Sequence, residues 1–260
     1  SETSSRKRIF SCKPNASNSA SECAKSIVTN IATAAFRRPV SDEDLGTPLK
    51  FFEQVNSEKG FEPGIEMALR AILVSPEFLF RIEQDPKDFG SGEIYALNDF
   101  ELASRLSFFL WSSIPDEELM ALASRGSLSD PEVLEQQVER MLKDSKAESL
   151  ASNFADQWLY LRNLDAVDPN LRLFPDFDDN LRQSMRKETE MLFENIISDN
   201  RNVMELLSAD YTFLNERLAR HYDIPNVYGD HFRKVDLDPA SQRIGILGHG
   251  SVLTVTSYAT

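Results

Sequence analysis

Apolar positions recur with helical spacing along nearly the whole chain. Cys23, Ile27, Ile31, Ala34 and Ala35 fall three and four residues apart, a core-facing stripe that ends at "FRRPV", where Pro39 stops the helix. "VSDEDL" restarts one, with Ser41 as N-cap, Asp44 three residues on, and acids where the helix dipole favours them. Ile65, Leu69, Ile72 and Leu73 share the next face, and Ser75-Pro76 breaks it ahead of Phe78, Leu79 and Phe80.

Residues 84–97, "QDPKDFGSGEIYAL", hold two glycines, a proline and several charges and read as a linker. Beyond it, Asn98 and Glu101 form a capping-box-like start. Leu102, Ala103, Leu106, Phe108, Phe109, Leu110 and Trp111 then leave little polar surface, as expected of a buried spine. Ser129 caps a further helix with Pro131 and Glu132 in its first turn. Two long amphipathic stretches follow, one on Leu150, Ala151, Phe154, Trp158 and Leu161, the other on Leu181, Met185, Leu192 and Ile196. "TFLNERLARHYDIP" completes the helical part, and only "SVLTVTSY" reads as extended.

The pattern predicts an all-α fold, a multi-helix bundle of two packed helical subdomains with a short extended segment at the C-terminus. The expected divisions are 1–83, a linker at 84–97, a main helical domain at 98–242, and at 243–260 the truncated start of a following module. In that last segment Ile244, Ile246, Leu247, Val252 and Leu253 are expected to be largely buried, with the residues near Thr260 loose.

Composition changes this picture little. The 260 residues are 41% hydrophobic and 27% charged, as in ordinary globular proteins, and suffice for a sizeable core. The net charge of −14 argues against nucleic-acid binding and against docking on anionic lipid. No stretch approaches the roughly eighteen uncharged apolar residues of a membrane-spanning helix. The opening residues also lack the apolar core of a signal peptide. Cys12 and Cys23, the two cysteines, suit either a local disulfide or two unpaired, partly buried thiols.

Candidate chemistry is sparse. His221, His231 and His249 would need carboxylate help to hold a metal, and no HExxH or paired-cysteine spacing occurs. His221 lies at a helix end, where a cation is favourable, and His231 sits in a polar loop. "FPDFDDN" (Asp176, Asp178, Asp179) lacks the glycine and glutamate of a calcium loop, so its acids read as the cap and first turn of a helix. No nucleophile elbow, phosphate loop or dinucleotide fingerprint is present, so no metal or catalytic set is assigned. Arg105 interrupts the apolar spine, with Asp116 or Glu118 as possible partners, and is the polar residue to test for binding.

Several phrases together resemble a known family: "AFRRPVSDEDL", "LRAILVSPEFLFRIE", "LASRLSFFLWSSIPDEEL", "VERMLKDSKAESLASNFADQWLYLRNL" and "RIGILGHGSVLTVTS". They are similar, in order and through most of the chain, to successive modules of large planctomycete-type exported proteins of unknown function associated with c-type cytochromes. The resemblance implies a Cys12–Cys23 disulfide, an exported (periplasmic or extracellular) location, and a continuation ending in a CxxCH haem-attachment region. It implies no cofactor within this chain, c-type haem in the continuation, and the haem-bearing module of the same polypeptide as partner. His249 is then the residue to watch as a group supplied to that haem. The alternatives are an enzyme domain acting on polysaccharide, with its site between the helical subdomains, and a non-catalytic scaffold.

Overall fold

A computed structural model describes residues 3–83, 90, 92, 94–170, 172–241 and 243–257. Most of the expected linker at 84–97, and the residues next to Thr260, lie outside the described residues. The fold is predominantly helical, with one two-stranded sheet among the described residues.

The chain divides into two compact units, Ser1–Phe108 with Ser113–Gln137, and Phe109–Ser112 with Val138–Thr260. The first unit begins with α1 (Ser4–Ile9) and α2 (Ala20–Phe36). Ser19 and Glu22 close a capping box on α2, which ends on Arg37 in the left-handed region (φ 58°). α3 (Asp42–Lys59) starts from the Ser41–Asp44 capping box, then come α4 (Phe61–Leu73) and the single turn α5 (Pro76–Leu79). Ala24, Ile27 and Val28 of α2, Leu45 and Phe52 of α3, and Ile65 and Ile72 of α4 form the core. Ala34 and Leu73, placed by spacing on core faces, are exposed. Cys12 and Cys23 are joined in a disulfide, with Cα atoms 5.2 Å apart, which ties the N-terminal segment to α2.

α6 (Asp99–Trp111) and α8 (Pro131–Leu142) each contribute residues to both units, with α7 (Glu117–Ser124) between them. Asn98 and Glu101 cap α6 reciprocally. Asp130, not Ser129, caps α8, because its Oδ1 accepts the Glu132 and Val133 amides. Trp111 is buried and donates its indole N–H to the Met141 carbonyl at 2.9 Å.

The second unit departs most from expectation. The stretch through Leu150 and Trp158 is not one helix. A 3-10 turn (Ser145–Ala147), a π-helical segment (Leu150–Ala155), the short α9 (Asp156–Trp158) and a 3-10 run (Leu161–Ala166) follow one another. Phe154 and Trp158 stay exposed, stacked on each other. α10 (Asp179–Ser198) starts as expected, Asp178 accepting the Leu181 amide, and its Leu181, Met185, Leu192 and Ile196 are buried.

After α11 (Glu205–Ser208), Thr212, Phe213 and Leu214, expected to be helical, lie in strand β1 (Tyr211–Leu214), followed by α12 (Glu216–His221) and β2 (Arg233–Asp236). The strands pair antiparallel, Tyr211 opposite Asp236 and Leu214 opposite Arg233. β-branched and aromatic residues favour the strand, and Asn215 ends it by capping α12.

The C-terminal reading is also corrected. Gly250–Thr256 is a helix, α13, not an extended segment. The hydroxyls of Thr254 and Thr256 donate to the carbonyls of Gly250 and Val252 four residues back, an arrangement that lets β-branched threonines sit in a helix. Ile246 and Val252 are buried, while Ile244 (55%), Leu247 (62%) and Leu253 (47%) are exposed instead of buried.

Candidate functional site

The buried polar groups of the second unit gather on α10. Ser184, Glu188 and Thr189 lie among its core positions, with Glu188 and Thr189 almost wholly buried. Glu188 accepts hydrogen bonds from Thr212 Oγ1 of β1 and from Tyr222 Oη, both at 2.6 Å. The Tyr222 oxygen in turn accepts the Gly250 amide at 2.7 Å. Thr189 Oγ1 lies 2.8 Å from His249 Nδ1 and 2.7 Å from Ser251 Oγ. His249 Nε2 faces Glu188 at 3.9 Å. Arg243 stacks on the Tyr222 ring, 3.8 Å from its centroid, and donates to the Gly248 carbonyl. One connected network therefore holds residues 243–251 to α10, β1 and the end of α12.

Burial sets the protonation of this network. It pushes Glu188 up to about 7, against the two hydroxyl donors and the nearby Arg243 charge. It pushes His249 down to about 3, with Arg243 acting the same way, so the imidazole is neutral at physiological pH. Tyr222 is raised well above its ordinary value by burial and by the Glu188 charge.

Ser251, Thr189, His249 and Glu188 line up as hydroxyl, imidazole and carboxylate, the groups of a hydrolytic triad. Thr189 stands between the serine and the ring, and all four are buried, so no reacting atom reaches them. The arrangement fastens residues 249–251 to α10. A haem tested against His249 does not fit either. Only 3% of the residue is exposed, Nδ1 is engaged with Thr189, and Nε2 is aimed at the interior carboxylate. Both cysteines are taken up in the disulfide, and among the described residues no cluster of three His, Cys, Asp or Glu could hold a metal.

The other sequence candidates lie elsewhere. Arg105 is in the first unit, 56% exposed at its side chain. It pairs bidentately with Glu83 at 3.1 and 2.6 Å, not with Asp116 or Glu118. Asp116 caps α7, and Glu118 accepts from Gln137. His221 closes α12 but is shifted downward by burial, so a cationic cap is disfavoured. His231 is exposed beside Arg233.

Spacing also holds a signal for this network. Glu188 and Thr189 occupy the interval between Met185 and Leu192, where a buried face admits a polar residue only with partners. On the far side of α10, Asp156 sits 3.9 Å from Arg186 and is raised to about 6, mainly by burial and then by Glu190.

Comparison with known families supplies the context. Residues 23–83 match PSD5, a protein of unknown function (DUF1595), and residues 97–224 match PSD4, a protein of unknown function (DUF1592). The chain carries two consecutive domains of unknown function. No curated protein and no solved structure matches it. The DUF1595 match covers α2 to α5, and the DUF1592 match runs from the start of α6 past the end of α12. Glu188, Thr189, Thr212 and Tyr222 thus lie within the residues matched to DUF1592, whereas Arg243, His249 and Ser251 lie beyond them.

Proposed function

We propose that this chain is a non-catalytic helical module of an exported, c-type-cytochrome-associated protein, and that a haem-bearing module of the same polypeptide docks on its 243–253 segment. The order of the two domains supports the family context. The disulfide fits an oxidising compartment, and among the described residues no helix is long and apolar enough to cross a membrane.

The observation that carries the docking role is the two-sided character of this segment. His249, Ser251, Ile246 and Val252 fix it to the interior, while Ile244, Leu247 and Leu253 present apolar side chains to solvent. Nearby α11 touches the same segment and exposes Leu207, next to exposed Val203 and Met204. Exposed apolar side chains on an anchored backbone are what an interaction site requires.

The test is a calorimetric titration of this chain with the separately produced haem module. A one-to-one complex is expected, weakened at least tenfold by Leu247→Asp or Leu253→Asp and unaffected by Arg105→Gln. Absence of binding, or binding indifferent to both aspartates, overturns the reading.

A further inference from the structure

Four arginines line one cleft of about 320 Å³ in the first unit, although the chain carries a net charge of −14. Three of them are already engaged. Arg37 is buried and donates to the carbonyls of Ala35, Glu77 and Phe80 at 2.7–2.9 Å, with Phe78 at 3.4 Å. Arg38 forms a bidentate pair with Asp44, both bonds at 2.9 Å, and Arg105 one with Glu83.

Arg81 differs. Its guanidinium lies 5.3 Å from the centre of the Phe108 ring, and among the described residues it makes no ion pair or hydrogen bond. Arg37 faces the same ring at 5.6 Å, so two like charges share one aromatic surface with no carboxylate bonded to either. The Arg81 charge accordingly adds to burial in lowering the Arg37 pKa.

A second, independent feature sits in the same wall. Ser104, nine-tenths buried on α6, has a hydroxyl with no hydrogen-bond partner. A helical serine ordinarily satisfies itself on the carbonyl four residues back; here that donor is unspent, a cost that a bound ligand would offset.

We propose that this cleft binds a small hydroxylated monocarboxylate of the sugar-acid class, its carboxylate on Arg81 and a hydroxyl on Ser104. A guanidinium fork matches a carboxylate bidentately, and stacking on Phe108 holds that fork in place. Arg81 is the guanidinium there whose donors are unspent, and one such fork suits one carboxylate. A phosphate dianion is disfavoured, because Glu77, Glu83 and Glu101 share the lining. Those same carboxylates, with Asn98, are acceptors for the hydroxyls that a sugar ring presents. The volume lies at the lower end for small-molecule sites, so the ligand is about one ring in size. This site is separate from the docking segment, and either reading stands or falls without the other.

Isothermal titration of the whole chain with D-glucuronate, glucose and inorganic sulfate tests it. Saturable one-to-one binding of glucuronate is expected, with glucose and sulfate at least tenfold weaker. Arg81→Gln and Ser104→Ala should each weaken glucuronate about tenfold, the loss of one charge-assisted or otherwise unmade bond, with circular dichroism and melting temperature retained. Arg81 is exposed and Ser104→Ala removes only a hydroxyl, so neither change threatens folding. No glucuronate binding, sulfate or glucose binding as tight as glucuronate, or affinity unchanged in Arg81→Gln each overturns the proposal.

Discussion

Glu188 and Tyr222 are joined by a 2.6 Å hydrogen bond inside the second unit, and the phenol oxygen accepts the Gly250 amide in the same motion. A buried acid is thereby linked, through one ring, to a backbone segment beyond the matched domain. The cost of burying that carboxylate gives the protein a distinctive pH response.

Burial holds Glu188 at about 7 against an ordinary 4.5, so between these values the folded chain binds the extra proton. Its contribution to stability therefore falls as pH rises from about 4.5 to 7. His249 runs the other way. Held near 3 against 6.5, it makes stability fall as pH drops below 6.5. The remaining groups against them are Tyr222, which stays protonated, and the Arg243 guanidinium stacked on its ring. Glu188→Gln removes the first effect alone. Urea unfolding should show the variant gaining on wild type by on the order of 3 kcal/mol between pH 4.5 and 7.5. A difference that does not vary with pH contradicts this assignment.

Arg37 should be intolerant of lysine. Its guanidinium satisfies carbonyls at the end of α2 and around α5, and a single ammonium cannot reach them all. Arg37→Lys is expected to cost about 2–4 kcal/mol in chemical denaturation, through buried carbonyls left unpaired. A cost no larger than that of an exposed arginine such as Arg70 would show that the clamp is dispensable.

Gly245 admits no side chain. It adopts φ +50°, and a Cβ there would meet the Leu206 oxygen and the Leu207 carbonyl carbon at 2.5 Å. Its amide also donates to the Ala209 carbonyl. Gly245→Ala should lower stability by roughly 2–4 kcal/mol and loosen residues 243–256. A melting temperature equal to wild type would contradict this packing.

The Cys12–Cys23 bond closes a loop across a separation of 11 residues. Its removal by Cys12→Ser should lower stability by about 2–3 kcal/mol on the loop-entropy argument. Intact mass should rise by two hydrogens on reduction of the wild type. A mass unchanged by reductant would show free thiols.

How much of this was legible in the sequence follows the range of each interaction. The Ser41–Asp44, Asn98–Glu101 and Asp178 helix starts could be read because a cap and its partner lie three residues apart. The Tyr211–Leu214 strand could not, since its partner runs from Arg233 to Asp236 and only the folded chain brings the two together. The β-branching of "SVLTVTSY" favours an extended chain, and the threonine hydroxyls that bond back along α13 decide for a helix. His249 stands between two glycines, and nothing local announces its partner Thr189, 60 positions away. Arg105 has acids downstream at Asp116 and Glu118, whereas its partner lies 22 residues upstream at Glu83.

The docking claim is tested most directly by hydrogen exchange of this chain, alone and with the haem module bound. The account predicts added protection confined to residues 203–207 and 244–253, around Leu207, Leu247 and Leu253. Protection that falls elsewhere, or none on addition of the haem module, would contradict it.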